Sequence, residues 1–142
     1  MKPRQVLIDA GPLVAIVSRL DAHHQRCVAA LATLPAPLLT CWPVMAEAFW
    51  LVRHNPAAVA GLFRGFADNL WALAPIGPES LPWIEEFLKR YQKLGAQLAD
   101  VCLVYLAETQ EIDTVFTLDR RDFSVYRYGK NRHFKIVPAP TH

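Results

Sequence analysis

The chain has 142 residues, which is the length of one domain with a well-buried core. Hydrophobic residues make up 53% of the chain and charged residues 20%, which excludes a disordered protein. No apolar run approaches the roughly 18 residues that span a bilayer. The first apolar segment contains Asp9, Gly11 and Pro12, which argues against a cleavable signal sequence. We therefore expect a soluble, cytoplasmic protein with a single domain over residues 1–142.

The cysteines and the charge distribution limit the possible classes of protein and partner further. Cys27, Cys41 and Cys102 are widely spaced, which argues against a disulfide framework and a zinc site and predicts buried free thiols. The net charge of +2 is small, but basic residues are concentrated in the last quarter of the chain. Such a run is consistent with an anionic partner such as RNA and equally with a solvated basic face.

Apolar segments of strand length alternate with amphipathic segments of helix length. This alternation predicts a three-layer α/β/α sandwich with a central, mainly parallel sheet. The predicted strands are 5–9, 38–41, 71–76, 114–118 and 134–138, and the predicted helices are 12–20, 21–34, 43–53, 56–70, 81–92 and 96–111. Pro12 suits the first turn of the first helix, and Asp21 is the expected N-cap of the second.

Four acidic residues each stand alone in an apolar stretch. Asp9 ends the first strand and Asp119 follows TVFTL in a similar way. Glu47 is the only charge in TCWPVMAEAFWLV, and Asp100 is the only charge in LGAQLADVCLVYLA. A buried carboxylate without a partner is costly, and proteins usually pair it or give it a metal ion.

The predicted fold brings these acids to one place. Ligand sites in open α/β sheets form beyond the carboxyl ends of the strands, where Asp9 and Asp119 stand. Asp100 is expected near the start of its helix, and Glu47 one turn into its own. Clustered carboxylates repel each other unless a cation lies among them, and a set of oxygens alone suits Mg²⁺ or Mn²⁺.

Each acid also has a purely structural interpretation. Asp9 and Asp100 fit helix N-terminal positions, where a carboxylate caps the backbone or favours the dipole. Glu47 fits an outward position on an amphipathic helix, and Asp119 fits the first position of a DRRD turn. These alternatives are open for each acid singly, but four such coincidences in one chain are much less plausible.

The chain resembles a PIN domain, specifically a VapC-type toxin ribonuclease of a prokaryotic toxin–antitoxin system. The stretches that carry the resemblance are VLIDAGPLVAIVSRLDAHH, TCWPVMAEAFWLV, LADVCLVYLAE and TVFTLDRRDF, in this order over residues 6–123. The resemblance implies an endoribonuclease that hydrolyses RNA phosphodiester bonds, a cognate antitoxin protein and a homodimer.

The resemblance also implies site residues. The acidic centre falls on Asp9, Glu47, Asp100 and Asp119, with Asp122 as an accessory acid. In this hypothesis Asp9, Glu47 and Asp100 hold the principal Mg²⁺, or Mn²⁺ in its place, and Asp119 holds a second ion or orients the water.

Other positions follow from the same resemblance. Ala10 lacks the hydroxyl that relatives often have after the first acid, Thr117 is a possible substitute, and Cys102 stands where relatives often have Ser. The residues expected to bind substrate phosphates are Arg120, Arg121, Arg127, Lys130 and Arg132.

Two other functional classes compete with this hypothesis. A catalytically inactive PIN-like module that binds RNA or protein would have no need for all four acids. A haloacid-dehalogenase-like phosphatase requires an acid two residues after its nucleophile, where this chain has Gly11.

Two further groups of residues are expected to be mainly structural. Adjacent histidines on a helix diverge by about 100°, so His23 and His24 are assigned surface or packing roles. The aromatic-rich stretch over residues 42–71 is interpreted as core or an oligomer contact rather than as an RNA-stacking surface.

Overall fold

The computed structural model describes residues 4–140, so both ends of the predicted domain range lie outside the described residues. All neighbouring strands pair in parallel, in the spatial order β3-β2-β1-β4-β5. The strands are β1 (Leu7–Ile8), β2 (Leu38–Thr40), β3 (Trp71–Leu73), β4 (Thr114–Phe116) and β5 (Lys135–Val137). The predicted three-layer α/β/α fold with a parallel sheet is confirmed.

The helices connect successive strands. They are α1 (Ala10–Val17), α2 (His24–Ala32), α3 (Trp42–Val52), α4 (Pro56–Ala67), α5 (Leu81–Arg90), α6 (Leu98–Gln110) and α7 (Arg120–Val125), with 3₁₀ turns at Pro78–Ser80 and Gln92–Leu94. No helix within residues 4–140 is both long and apolar enough to cross a membrane.

Capping explains where the structure departs from the predicted boundaries. Helix α1 begins at Ala10, earlier than expected, because the Asp9 carboxylate accepts a hydrogen bond from the Ala10 N–H. The prediction that Asp21 caps α2 is wrong, since His23 is the N-cap and the Asp21 carboxylate accepts from its N–H. The unpredicted helix α7 forms because Asp119 caps it through the Asp122 N–H.

The sheet is buried between helices on both faces, which is why β1, β2 and β4 contain no exposed residue. At its β3 edge, the Trp71 indole N–H donates to the Leu62 carbonyl at 3.0 Å and ties the strand to α4. A Cβ on Gly65 would approach the Trp71 ring to 1.9 Å, so this helix–strand contact requires glycine.

The residues assigned mainly structural roles lie partly in the core and partly on the surface. All three cysteines are buried free thiols, and His24 Nδ1 lies 2.7 Å from the Ala15 carbonyl oxygen in a packing contact. The aromatic stretch is divided between the core and the surface. Trp71 is buried, whereas Trp42, Trp50 and Phe63 are exposed.

Candidate active site

The predicted acids lie at the carboxyl edge of the sheet. Asp9 directly follows β1, and Asp119 comes three residues after the end of β4. Asp100 is in the first turn of α6, and Glu47 is in α3, the helix that follows β2. Because every strand runs in the same direction, these four positions share one edge of the sheet.

The tightest group contains the acid that the sequence assigned only an accessory position. Asp100, Asp119 and Asp122 each offer a carboxylate oxygen, and these oxygens lie within 4.8 Å of one another. Asp119 and Asp122 come together because α7 places residues three apart on the same side. Three carboxylates at this spacing form a donor set for a metal ion with oxygen ligands.

Asp9 and Glu47 lie outside this group of three but close enough to interact with it electrostatically. Asp9 is 8% exposed, and the charges of Glu47 and Asp119 both act on its carboxyl group. Glu47 is half-buried. Within residues 4–140, no lysine or arginine forms a salt bridge with any of these five acids.

Burial and mutual repulsion raise the proton affinity of the deepest acids. Burial is the main cause that raises the pKa of Asp9 to about 6, opposed by hydrogen bonds from the Ala10 N–H and the Thr117 hydroxyl. Burial and then the charge of Asp9 raise the pKa of Asp100 to about 8. Burial, followed by the charge of Asp119, also raises the pKa of Asp122. An all-oxygen group under this repulsion fits a hard divalent cation.

Thr117 connects two of the acids. Its hydroxyl donates to Asp9 Oδ2 at 2.8 Å and accepts from the Asp119 N–H at 3.0 Å. Thr117 is 1% exposed, so this bridge is shielded from water. The hydroxyl expected from the resemblance is therefore present beside Asp9, although residue 10 is alanine.

A tyrosine that sequence reasoning missed also touches the acid group. The Tyr126 hydroxyl donates to Asp100 Oδ2 at 3.2 Å, and Tyr126 is fully buried. Nothing in the sequence marks this contact, because a tyrosine among apolar and aromatic residues is typical of a core position.

Two of the basic residues predicted to bind substrate instead hold backbone carbonyl groups. Arg120 donates to the Pro138 carbonyl at 2.7 Å, and Arg127 donates to the Val125 carbonyl at 2.7 Å. Both guanidinium groups thus tie down backbone. Arg121 is exposed in the first turn of α7, and its charge acts on the neighbouring Asp122 carboxyl group.

Lys130 and Arg132 lie at the opposite end of α6. They line a depression together with Glu108 and Glu111, and the Gly129 N–H donates to Glu108 Oε1 at 2.9 Å. Glu108 is eight positions after Asp100 in α6, which is about 12 Å along the helix axis. The structure therefore does not bring these two basic residues to the acid group.

The model of the PIN domain family matches residues 6–129 of the chain. The chain belongs to the PIN domain family. This PIN domain is 27% identical over 135 residues to Ribonuclease VapC26 of Mycobacterium tuberculosis, an alignment that covers 94% of this chain and 100% of that protein. The resemblance inferred from the four acidic stretches is confirmed.

Solved structures show the same fold. A crystal structure of VapC20 from Mycobacterium tuberculosis, a sarcin–ricin loop cleaving toxin, superposes with a TM-score of 0.67 at 17% identity, covering 78% of this chain and 86% of that one. VapBC2 from Rickettsia felis, bound to a fragment of its promoter DNA, gives a TM-score of 0.64 at 12% identity, covering 93% and 98%. At these identities the two structures support the fold of this PIN domain.

Proposed function

We propose that this PIN domain is a divalent-metal-dependent endoribonuclease and the toxin of a type II toxin–antitoxin pair. The observation that carries the proposal is the group of carboxylates at the carboxyl edge of the sheet, none of which forms a salt bridge within residues 4–140. Family membership and the similarity to a ribonuclease support the same activity. An inactive binding module would have no reason to keep two of these repelling groups, Asp9 and Asp100, buried.

The chain supplies the ligands and their supports. In the proposed site, Asp100, Asp119 and Asp122 would hold the principal ion, with Asp9 and Glu47 completing its surroundings. This changes the assignment made from the sequence, in which Asp122 was accessory. Mg²⁺ or Mn²⁺ bound here lowers the pKa of a water molecule and stabilises negative charge on a phosphate.

The residues in and around the acid group have different proposed roles. Thr117 holds Asp9 Oδ2 by donating its hydroxyl proton and fixes the backbone of Asp119. With a pKa of about 6, Asp9 is largely ionised at neutral pH and able to accept a proton or bind a cation. We infer that Arg121, which is exposed and whose charge acts on Asp122, attracts the phosphates of RNA.

The proposal includes a protein partner that blocks this activity. The structural similarity to VapBC2 supports an antitoxin, and an apolar groove of about 670 Å³ offers a surface for one. The groove lies between α1, α2 and α4, and the fully exposed Leu20 stands at its wall. A homodimer and a cytoplasmic location stay predictions, with the exposed Trp42, Trp50 and Phe63 as the candidate dimer surface.

Cleavage of total RNA by the purified protein tests the proposal. The reaction contains Mg²⁺ or Mn²⁺, and parallel reactions contain EDTA or the Asp9→Asn variant, which keeps the size of the side chain. We expect discrete fragments that disappear in both parallel reactions. Full activity of the folded Asp9→Asn variant at the same metal concentration would contradict the proposed site.

Binding experiments separate the remaining alternatives. A protein that binds Mn²⁺ but leaves total RNA intact would indicate a more selective substrate than those in the sample. A protein that neither cleaves RNA nor binds metal, yet binds RNA or a protein partner, would support the inactive binding module instead.

A further inference from the structure

Tyr126 is fixed in an aromatic cluster next to the acid group. Its ring centroid lies 5.2 Å from that of Phe123, 5.4 Å from that of Phe87 and 5.4 Å from that of Tyr91. The Phe123 and Tyr91 contacts are edge-to-face, with interplanar angles of 89° and 88°. A ring held on three sides has one orientation, so the position of its hydroxyl is defined by packing.

The hydroxyl of Tyr126 donates its proton in a hydrogen bond to an acid of the site. It donates to Asp100 Oδ2 at 3.2 Å, and Asp100 is 6% exposed. No other side chain within residues 4–140 donates a hydrogen bond to this carboxylate. The contact therefore restricts rotation of a carboxylate whose other neighbours, Asp9 and Asp119, repel it.

The same hydrogen bond joins the two elements that build the group of three acids. Asp100 is in the first turn of α6, whereas Tyr126 is the C-cap of α7, the helix capped by Asp119 and containing Asp122. A link from the end of α7 to the start of α6 sets the distance between the two sources of ligands. Groups that orient metal ligands in this way commonly change metal affinity by about 10- to 100-fold.

We propose that Tyr126 is a positioning residue that holds the Asp100 carboxylate in place for a divalent cation. The inference rests on the proposed function, since it assumes that the acid group binds such an ion. Tyr126 itself does not reach substrate. Its effect is to preform the site by fixing one ligand relative to the two on α7.

The Tyr126→Phe variant tests this role because it removes the hydroxyl and keeps the ring. Mn²⁺ affinity is measured by electron paramagnetic resonance, and melting temperature is measured without metal. Tyr91→Phe is the matched control, since its hydroxyl belongs to the same aromatic cluster but accepts from the Arg127 N–H instead of contacting an acid.

We expect Tyr126→Phe to weaken Mn²⁺ binding by about 10-fold and Tyr91→Phe to change it by less than about twofold. At saturating Mn²⁺, RNA cleavage by Tyr126→Phe should recover to nearly the wild-type rate. A Tyr126→Phe protein that melts at a lower temperature but binds Mn²⁺ as wild type does would show a purely structural role and overturn the proposal.

A second substitution covers the case in which Tyr126→Phe does not fold. Replacing Tyr126 with 3,5-difluorotyrosine keeps the ring and makes the hydroxyl a stronger donor, so Mn²⁺ should bind more tightly than to wild type. Unchanged affinity would overturn the proposal. Failure of the wild-type protein itself to bind Mn²⁺ would contradict the proposed function, whereas equal binding by wild type and Tyr126→Phe would contradict this inference alone.

Discussion

Acidic residues at the two ends of helix α6 have opposite surroundings. At the C-terminal end, Glu108 accepts hydrogen bonds from the Trp83 indole N–H at 2.7 Å and the Gly129 N–H at 2.9 Å. At the N-terminal end, Asp100 has one side-chain donor among the described residues, Tyr126, and several carboxylates around it. The fold satisfies the structural acid with its own donors and leaves the other acid under repulsion, which indicates a ligand-binding role.

The largest expected effect is a difference in RNA cleavage between variants at the two ends of α6. We expect Asp100→Asn to lose at least about 100-fold in RNA cleavage, because it removes a charged ligand from the acid group. Glu108→Gln, on the same helix, should stay within about threefold of wild type. The rate measured is that at which each variant forms the wild-type fragments at saturating Mg²⁺. Equal losses in both variants would contradict the difference between the two ends of α6.

The pH dependence of stability sharpens the same contrast. The folded-state pKa of Asp100, about 8, is above its ordinary 3.8, so the folded protein retains a proton that the unfolded chain releases. Its contribution to stability is complete below pH 4 and is lost as pH rises towards 8.

Asp100→Asn has no such proton to lose. Relative to wild type, this variant should therefore gain up to about 1.4 kcal/mol in its free energy of unfolding for each pH unit between 5 and 8. Urea denaturation of the metal-free proteins measures this difference. A constant difference between wild type and Asp100→Asn over the whole range would contradict the raised pKa.

Substitution of Thr117 tests whether cleavage requires Asp9 and Asp119 to be held in fixed positions. Thr117→Val removes the hydroxyl between Asp9 and Asp119 but keeps the shape of the side chain. We expect a loss of about 10-fold in cleavage, of the size that supporting hydrogen bonds contribute. Thr117→Ser restores the hydroxyl and should restore most of the rate, whereas a loss of similar size in Thr117→Ser would count against this role.

The smallest effect concerns the basic residues. Arg121 is next to the acid group, whereas Arg132 is at the Glu108 end of α6. Arg121→Ala should raise KM for RNA by about threefold and weaken its salt dependence, since one phosphate contact is lost. Arg132→Ala should leave KM unchanged in the same assay. The reverse order would place the RNA at the opposite end of the helix.

The sequence was sufficient for the parts of the site that depend on short-range patterns. Asp9, Glu47, Asp100 and Asp119 were identifiable because each is an isolated charge in an apolar segment. The alternation of strands and helices then placed them on one edge of a parallel sheet. Both steps use local composition and one general rule of topology.

Tertiary contacts determine what the sequence did not reveal. Asp122 joins the central group because Asp119 caps an unpredicted helix, α7. Tyr126 reaches Asp100 across 26 positions of sequence. Arg132 is close to Asp119 and Asp122 in sequence. It lies instead near Glu108, because the Gly129 N–H donates a hydrogen bond to Glu108. Such contacts leave no periodic pattern in the chain.

Diffraction from Mn²⁺-soaked crystals at the manganese absorption edge tests the central claim most directly. We predict an anomalous peak among the carboxylates of Asp100, Asp119 and Asp122, within metal–oxygen bonding distance of their oxygens. The same crystals of Asp100→Asn should lose or weaken that peak. A peak only at the Glu108 end of α6, or none in crystals of a protein that binds Mn²⁺ in solution, would contradict the account.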